Sequence, residues 1–96
     1  MQVMVIKLRE FGKKLSKDKL KQPIEGELEL FQYKTNTRMY GYAKLSALNP
    51  VGMLEDKAHL YEPKLTALKE NMMLLEGFEK MSDGTAYLQA WRCLVV

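Results

Sequence analysis

The chain has 96 residues, of which 47% are hydrophobic and 28% charged, with a net charge of +3. That balance fits one folded domain and excludes a disordered chain. The single cysteine, Cys93, excludes an internal disulfide framework and a cysteine-based metal site, and the single histidine, His59, leaves little from which to assemble general-base chemistry.

The charge is unevenly placed. Residues 1–22 carry seven basic side chains, Lys7, Arg9, Lys13, Lys14, Lys17, Lys19 and Lys21, against Glu10 and Asp18, a net +5; the remainder carries eight basic and ten acidic groups, a net −2. A secretory signal would place basic residues ahead of its apolar core, whereas here Met1 to Ile6 precedes Lys7 and Arg9. No stretch approaches the roughly 20 apolar residues that span a bilayer. Cys93 stands fourth from the end, in the frame of a C-a-a-X box, but Tyr87 to Arg92 before it reads as strand rather than tether. The expected setting is soluble and cytoplasmic, with no membrane partner.

The opening segment alternates at Val3 and Val5, while Met4, Leu8, Phe11 and Leu15 recur at helical spacing. The β-branched pair Val5-Ile6 and the early Gly12 favour a strand from Gln2 to about Glu10. A basic loop near residues 12–23 follows, closed by Pro23. From Ile24 the period is two: Ile24, Gly26, Leu28 and Leu30 share one face, and Glu25, Glu27 and Glu29 the other. Lys34 to Arg38 is a polar turn in which Asn36 tolerates a positive φ. A second alternating run sets Tyr40, Tyr42 and Lys44 opposite Met39, Gly41, Ala43, Leu45 and Ala47, which predicts an antiparallel hairpin ended at Asn49-Pro50-Val51-Gly52.

After Pro63 the pattern divides. Leu65, Leu68, Met72 and Leu75 match a helical stripe that Gly77 could cap, yet Lys69-Glu70-Asn71 also reads as a turn leading into a strand from Met72 to Lys80. Ser82-Asp83-Gly84 is a hairpin turn, and the final run alternates Tyr87, Gln89, Trp91, Cys93 and Val95 with Ala86, Leu88, Ala90, Arg92 and Leu94. That final strand needs a partner, which selects the strand reading for 72–80. The expectation is a single, mainly β domain over residues 1–96, a small antiparallel barrel or half-open barrel of about six or seven short strands; the alternative is an α+β fold with a helix near residues 64–76. The last strand, apolar on both faces, is expected to lie centrally or to pair with another copy.

No catalytic set assembles. His59 has Glu55, Asp56 and Glu62 nearby in sequence but in no recognisable motif, and Gly12-Lys13-Lys14-Leu15-Ser16 lacks the glycine spacing of a phosphate loop. Cys93 reads as a small core hydrophobe. The chain is therefore expected not to be an enzyme, with no cofactor and no metal. Arg38-Met39-Tyr40-Gly41-Tyr42-Ala43-Lys44-Leu45 resembles the RNP1 strand of single-strand-binding sheets at its basic start, at Tyr40 and at Gly41; Met39 stands where that pattern has glycine, and Leu45 where it has an aromatic. Tyr40 and Tyr42 share a strand face, where two rings could stack bases beside Arg38 and Lys44.

Two functions follow as expectations. The first is a small interaction module acting through a sheet face or as a homo-oligomer, its partner itself or another protein. The second is a single-stranded nucleic-acid-binding barrel using Arg38, Tyr40, Tyr42, Lys44 and the loop lysines Lys13 and Lys14.

Overall fold

The computed structural model describes residues 1–20, 22–34, 39–48 and 54–96. Six long strands follow the alternation of the sequence: β1 (Gln2–Lys7), β4 (Ile24–Lys34), β5 (Met39–Leu48), β6 (Leu54–Lys69), β7 (Met72–Lys80) and β8 (Ala86–Val95). Between β1 and β4 lie β2 (Arg9–Glu10), β3 (Lys13–Lys14) and one 3₁₀ turn at Lys17–Lys19. The six long strands close into an antiparallel barrel in the order β1-β4-β5-β6-β7-β8, and β2 and β3 form a separate two-stranded ribbon. Each long strand pairs with the next in the chain, and β1 closes the ring between β4 and β8.

Closure is secured at Val3, which faces Gly26 on one side and Val95 on the other. The Met1 ammonium group donates to the Leu28 carbonyl at 3.0 Å, while the Leu28 N–H returns a bond to the Met1 carbonyl at 2.9 Å. Inside, the alternating residues are mostly apolar: Val3 and Val5, Leu28, Ala43 and Leu45, Leu60, Leu75, Trp91 and Cys93 form one buried cluster, with Ile24, Leu30, Ala58 and Leu65 packed against it. The period of two read at Ile24 to Leu30 and at Ala43 to Ala47 is this inward face.

The helix alternative for residues 64–76 does not hold: Leu65 pairs with Leu75 and Thr66 with Leu74 across an antiparallel ladder. Asn71 makes the reversal with φ +55, a conformation that asparagine tolerates better than most residues. No α-helix occurs among the described residues, so the alternating β and α elements of RNP1-bearing sheets are absent from them. The opening strand is shorter than expected, because β1 stops at Lys7 and Leu8 breaks the run, donating its N–H to the Ala90 carbonyl at 2.8 Å. The expected basic loop is partly ordered into β3 and the 3₁₀ turn. The expected turn at Asn36 and the strand end at Asn49 to Gly52 lie outside the described residues.

The second hairpin turn falls where Ser82-Asp83-Gly84 places it. Gly84 takes φ +87, Asp83 Oδ1 accepts from the Thr85 N–H at 2.9 Å, and that bond holds the Asp83 carboxyl below its ordinary value of 3.8. β8 pairs with both β7 and β1, but this pairing does not cover the outward apolar residue near its end: Leu94 is 41% exposed. No helix among the described residues is long and apolar enough to cross a membrane.

Candidate functional site

The outer surface of the barrel carries a row of aromatic side chains set by register. Phe31 on β4 pairs with Tyr42 on β5, Tyr42 with Tyr61 on β6, and Tyr61 with Phe78 on β7. Directly opposed residues on neighbouring strands share a face, so register aligns four aromatic residues from four strands in one row. The Phe31 and Tyr42 rings stack at 4.6 Å and 22°; His59 lies 4.7 Å from Tyr42 and stacks on Tyr61 at 5.0 Å and 8°. Two lysines sit over these rings. Lys80 Nζ is 4.4 Å from the Tyr61 centroid, and Lys44 Nζ is 5.8 Å from Phe31 and 6.0 Å from Tyr42. Phe31 is 43% and Phe78 38% exposed, so the row leaves large apolar area facing solvent at both shoulders.

Charge on this face is mixed. Glu29 pairs across with Lys44, and Lys44 with His59, making a polar row beside the aromatic one. Glu25 and Glu29 are exposed on the same face of β4 as Phe31. A groove of about 620 Å³ runs between Tyr42, Tyr61, Glu62, Phe78 and Lys80.

The residues expected from the sequence divide accordingly. Tyr42 and Lys44 lie together on the outer face. Tyr40 occupies the register position two residues from Tyr42, opposite Tyr33, and Arg38 lies outside the described residues. Lys13 and Lys14 are exposed on the β2–β3 ribbon, which packs on β8 through an edge-on contact of Phe11 with Tyr87 at 5.4 Å. β8 is three strands from β5 in the barrel order, so the loop lysines belong to a different part of the surface from Tyr42 and Lys44. The aromatics Phe31, Tyr61 and Phe78 were visible singly in the sequence. Their alignment with Tyr42 depends on strand register, which composition does not carry.

A second feature lies within the barrel. At the end where β1 finishes and β4 begins, a cavity of about 300 Å³ is lined by Lys7, Glu10, Gln22, Glu79 and Trp91, with Val5 and Leu45 among its apolar walls. Behind Glu79 sits Gln89, 1% exposed, whose Nε2 donates to Glu79 Oε2 at 3.0 Å. Its Oε1 is buried and accepts no hydrogen bond. The sequence signal for this pair was slight: each is a polar residue on the inward-facing set of its strand.

Cys93 is fully buried in the core, and burial pushes its thiol from 9.0 up to about 11. A thiol so raised stays protonated near neutrality and is a poor nucleophile. Labelling of Cys93 by an aromatic disulfide at pH 8 is expected to run at the rate of unfolding and to become immediate in denaturant; fast labelling of the native protein would contradict this. Among the described residues no group of three or more His, Cys, Asp or Glu side chains is placed to hold a metal ion. Compared with models of protein families, with curated proteins and with solved structures, the chain matches none.

Proposed function

We propose that the protein is an interaction module that pairs with a second copy of itself through the outer face of β4 to β7. The observation that carries this reading is the sequence of the aromatic row. Across the four strands it reads Phe31, Tyr42, Tyr61, Phe78, which is the same in either direction. A two-fold axis parallel to the strands, midway between β5 and β6, sets Phe31 of one copy against Phe78 of the other and Tyr42 against Tyr61. Isologous pairing requires this kind of self-complementarity.

The flanking charges obey the same symmetry. Glu29 lies two residues from Phe31 and Lys80 two residues from Phe78, on the same side of the aromatic row, so the axis brings each Glu29 to the Lys80 of the other copy. Both are exposed, and Lys80 would leave its place over the Tyr61 ring to reach Glu29 of the other copy. Aromatic rings at the centre with charges at the rim is the usual composition of a protein interface. An oligonucleotide would meet Lys44 and Lys80 on this face, but also Glu25 and Glu29, which repel phosphate; that balance favours a protein partner.

Sedimentation velocity over a range of concentrations tests the proposal. The wild-type chain is expected to form a dimer, and Glu29→Lys, which places two like-charged contacts in each dimer, to weaken it by about ten-fold or more. The double variant Glu29→Lys/Lys80→Glu restores opposite charges and is expected to restore the dimer. A wild-type chain that stays monomeric at all concentrations overturns the proposal, as does a double variant no better than the single one. If the monomer instead binds single-stranded oligonucleotides with an affinity that falls steeply with salt, the face is a nucleic-acid surface.

A further inference from the structure

We propose that the mouth of the barrel binds a small primary ammonium ion carrying a short apolar chain. Every barrel strand contributes one wall to this cavity: Val5 from β1, Ile24 from β4, Leu45 from β5, Ala58 from β6, Glu79 from β7 and Trp91 from β8. Its volume of about 300 Å³ lies at the lower end of the range for small-molecule sites. The apolar walls suit a short hydrocarbon chain; the polar groups decide the head.

Those polar groups ask for a cation that donates hydrogen bonds. Lys7 and Glu10 hold each other at 3.8 Å, so their charges largely cancel. Glu79 forms no ion pair with a described residue, so among the described lining residues its carboxylate is the charge without a cationic partner. The Glu79 carboxylate only accepts hydrogen bonds, so the Gln89 amide must turn Nε2 toward it and is left with Oε1 unpaired. The orientation of the amide is thus dictated by chemistry, and turning it over would set two acceptors against each other. A buried carbonyl oxygen without a donor is costly, and at this cost Gln89 holds the Glu79 carboxylate in the cavity wall.

The three ligand classes differ sharply here. An anion would be repelled by Glu79. A neutral apolar molecule would leave the carboxylate without a partner. An ammonium group carries one positive charge and N–H donors for the lone pairs of Glu79 that Gln89 does not use. The Trp91 indole lines the same space, and an indole is the side chain that attracts cations best through its ring.

Trp91 is the chain's single tryptophan, so its fluorescence reports the site without a label. Titration with n-butylammonium chloride is expected to give a saturable change in Trp91 emission, against no saturable change with sodium butyrate or with potassium chloride at matched ionic strength. Glu79→Gln, checked as folded by circular dichroism, is expected to weaken n-butylammonium binding at least ten-fold, and Gln89→Met to weaken it while leaving butyrate inert. The wild-type series is decisive without any variant. Equal responses to n-butylammonium and potassium chloride overturn the proposal, and so does saturable butyrate binding. Unchanged n-butylammonium affinity in folded Glu79→Gln overturns it as well. The outcome is independent of whether the chain dimerises through β4 to β7, because the cavity lies inside the barrel and the aromatic row outside it.

Discussion

Adding a single methyl group at Gly26 is expected to destabilise the fold by about 1–3 kcal/mol, the range for overpacking a dense core. Two effects oppose each other at this position. Replacing glycine by alanine where the backbone is compatible stabilises a protein by about 0.4–1 kcal/mol, because the unfolded chain loses freedom. Gly26 is in an ordinary extended conformation, so that gain is available in principle. The methyl carbon, however, would stand 2.6 Å from the Ser46 carbonyl oxygen and 3.5 Å from a Val5 methyl. The closer atom belongs to the backbone of β5, which is held in the ladder by the pairs Gly26↔Ala47 and Glu27↔Ser46. It cannot rotate aside as a side chain would. Relief requires β4 and β5 to part just where β1 also joins β4 through Val3↔Gly26. Urea unfolding of Gly26→Ala should therefore show a lower midpoint at an unchanged slope; a raised midpoint would mean that the barrel is looser there than this geometry allows.

Much of the fold is legible in the sequence where strands are regular. Where a strand runs without interruption, as from Ile24 to Leu30 and from Ala43 to Ala47, the inward face is written as every second residue and can be read directly. Bulges spoil that reading in β6. The register of β6 against β7 shifts between Tyr61 and Lys64 and again between Ala67 and Lys69, and Glu62 adopts φ +51. Each shift adds a residue to one strand, turning a spacing of two into a spacing of three. The helical spacing of Leu65, Leu68, Met72 and Leu75 is a coincidence of sequence: they lie in two strands and on different faces, Leu75 fully buried and Leu68 48% exposed. The bulges belong to the closure of the barrel, where a long strand must bend, and a single strand's sequence does not announce them.

The candidate sites were legible to a smaller degree. Tyr42 and Lys44 share a face because two residues always do so on a strand, and that needed no structure. The row from Phe31 to Phe78 is different in kind, because it depends on three successive registers. A slip of one residue in any of them would turn part of the row inward. Glu79 and Gln89 depend on the β7–β8 hairpin. With Glu79 opposite Tyr87 and Gly77 opposite Gln89, the two polar side chains become diagonal neighbours on the inner face. The turn at Ser82-Asp83-Gly84 is legible in the sequence, but the partners it brings together follow only from the exact loop length.

Leu60 is the position at which the core should be most sensitive to truncation. Leu60→Ala is expected to cost about 2–5 kcal/mol, a large share of the roughly 5–15 kcal/mol that holds a typical domain together. The side chain is fully buried, and its surroundings have little room to collapse into the space left behind. Gly77 already brings the β7 backbone against it, since a methyl at Gly77 would stand 2.8 Å from Leu60 Cβ. The bulge beyond Tyr61 fixes the strand on the other side. A cavity that cannot close lies toward the upper end of the range, because its lining loses contacts outright. Leu68 supplies the control. In a helix over residues 64–76 it would belong to the buried stripe, and Leu68→Ala would cost as much as any core truncation. In the barrel Leu68 is 48% exposed, and Leu68→Ala is expected to change stability by no more than about 0.5 kcal/mol, the usual range for a surface position. Equal losses for the two variants in urea unfolding would contradict the strand pairing of β6 with β7; a severe loss at Leu60 alone follows from it.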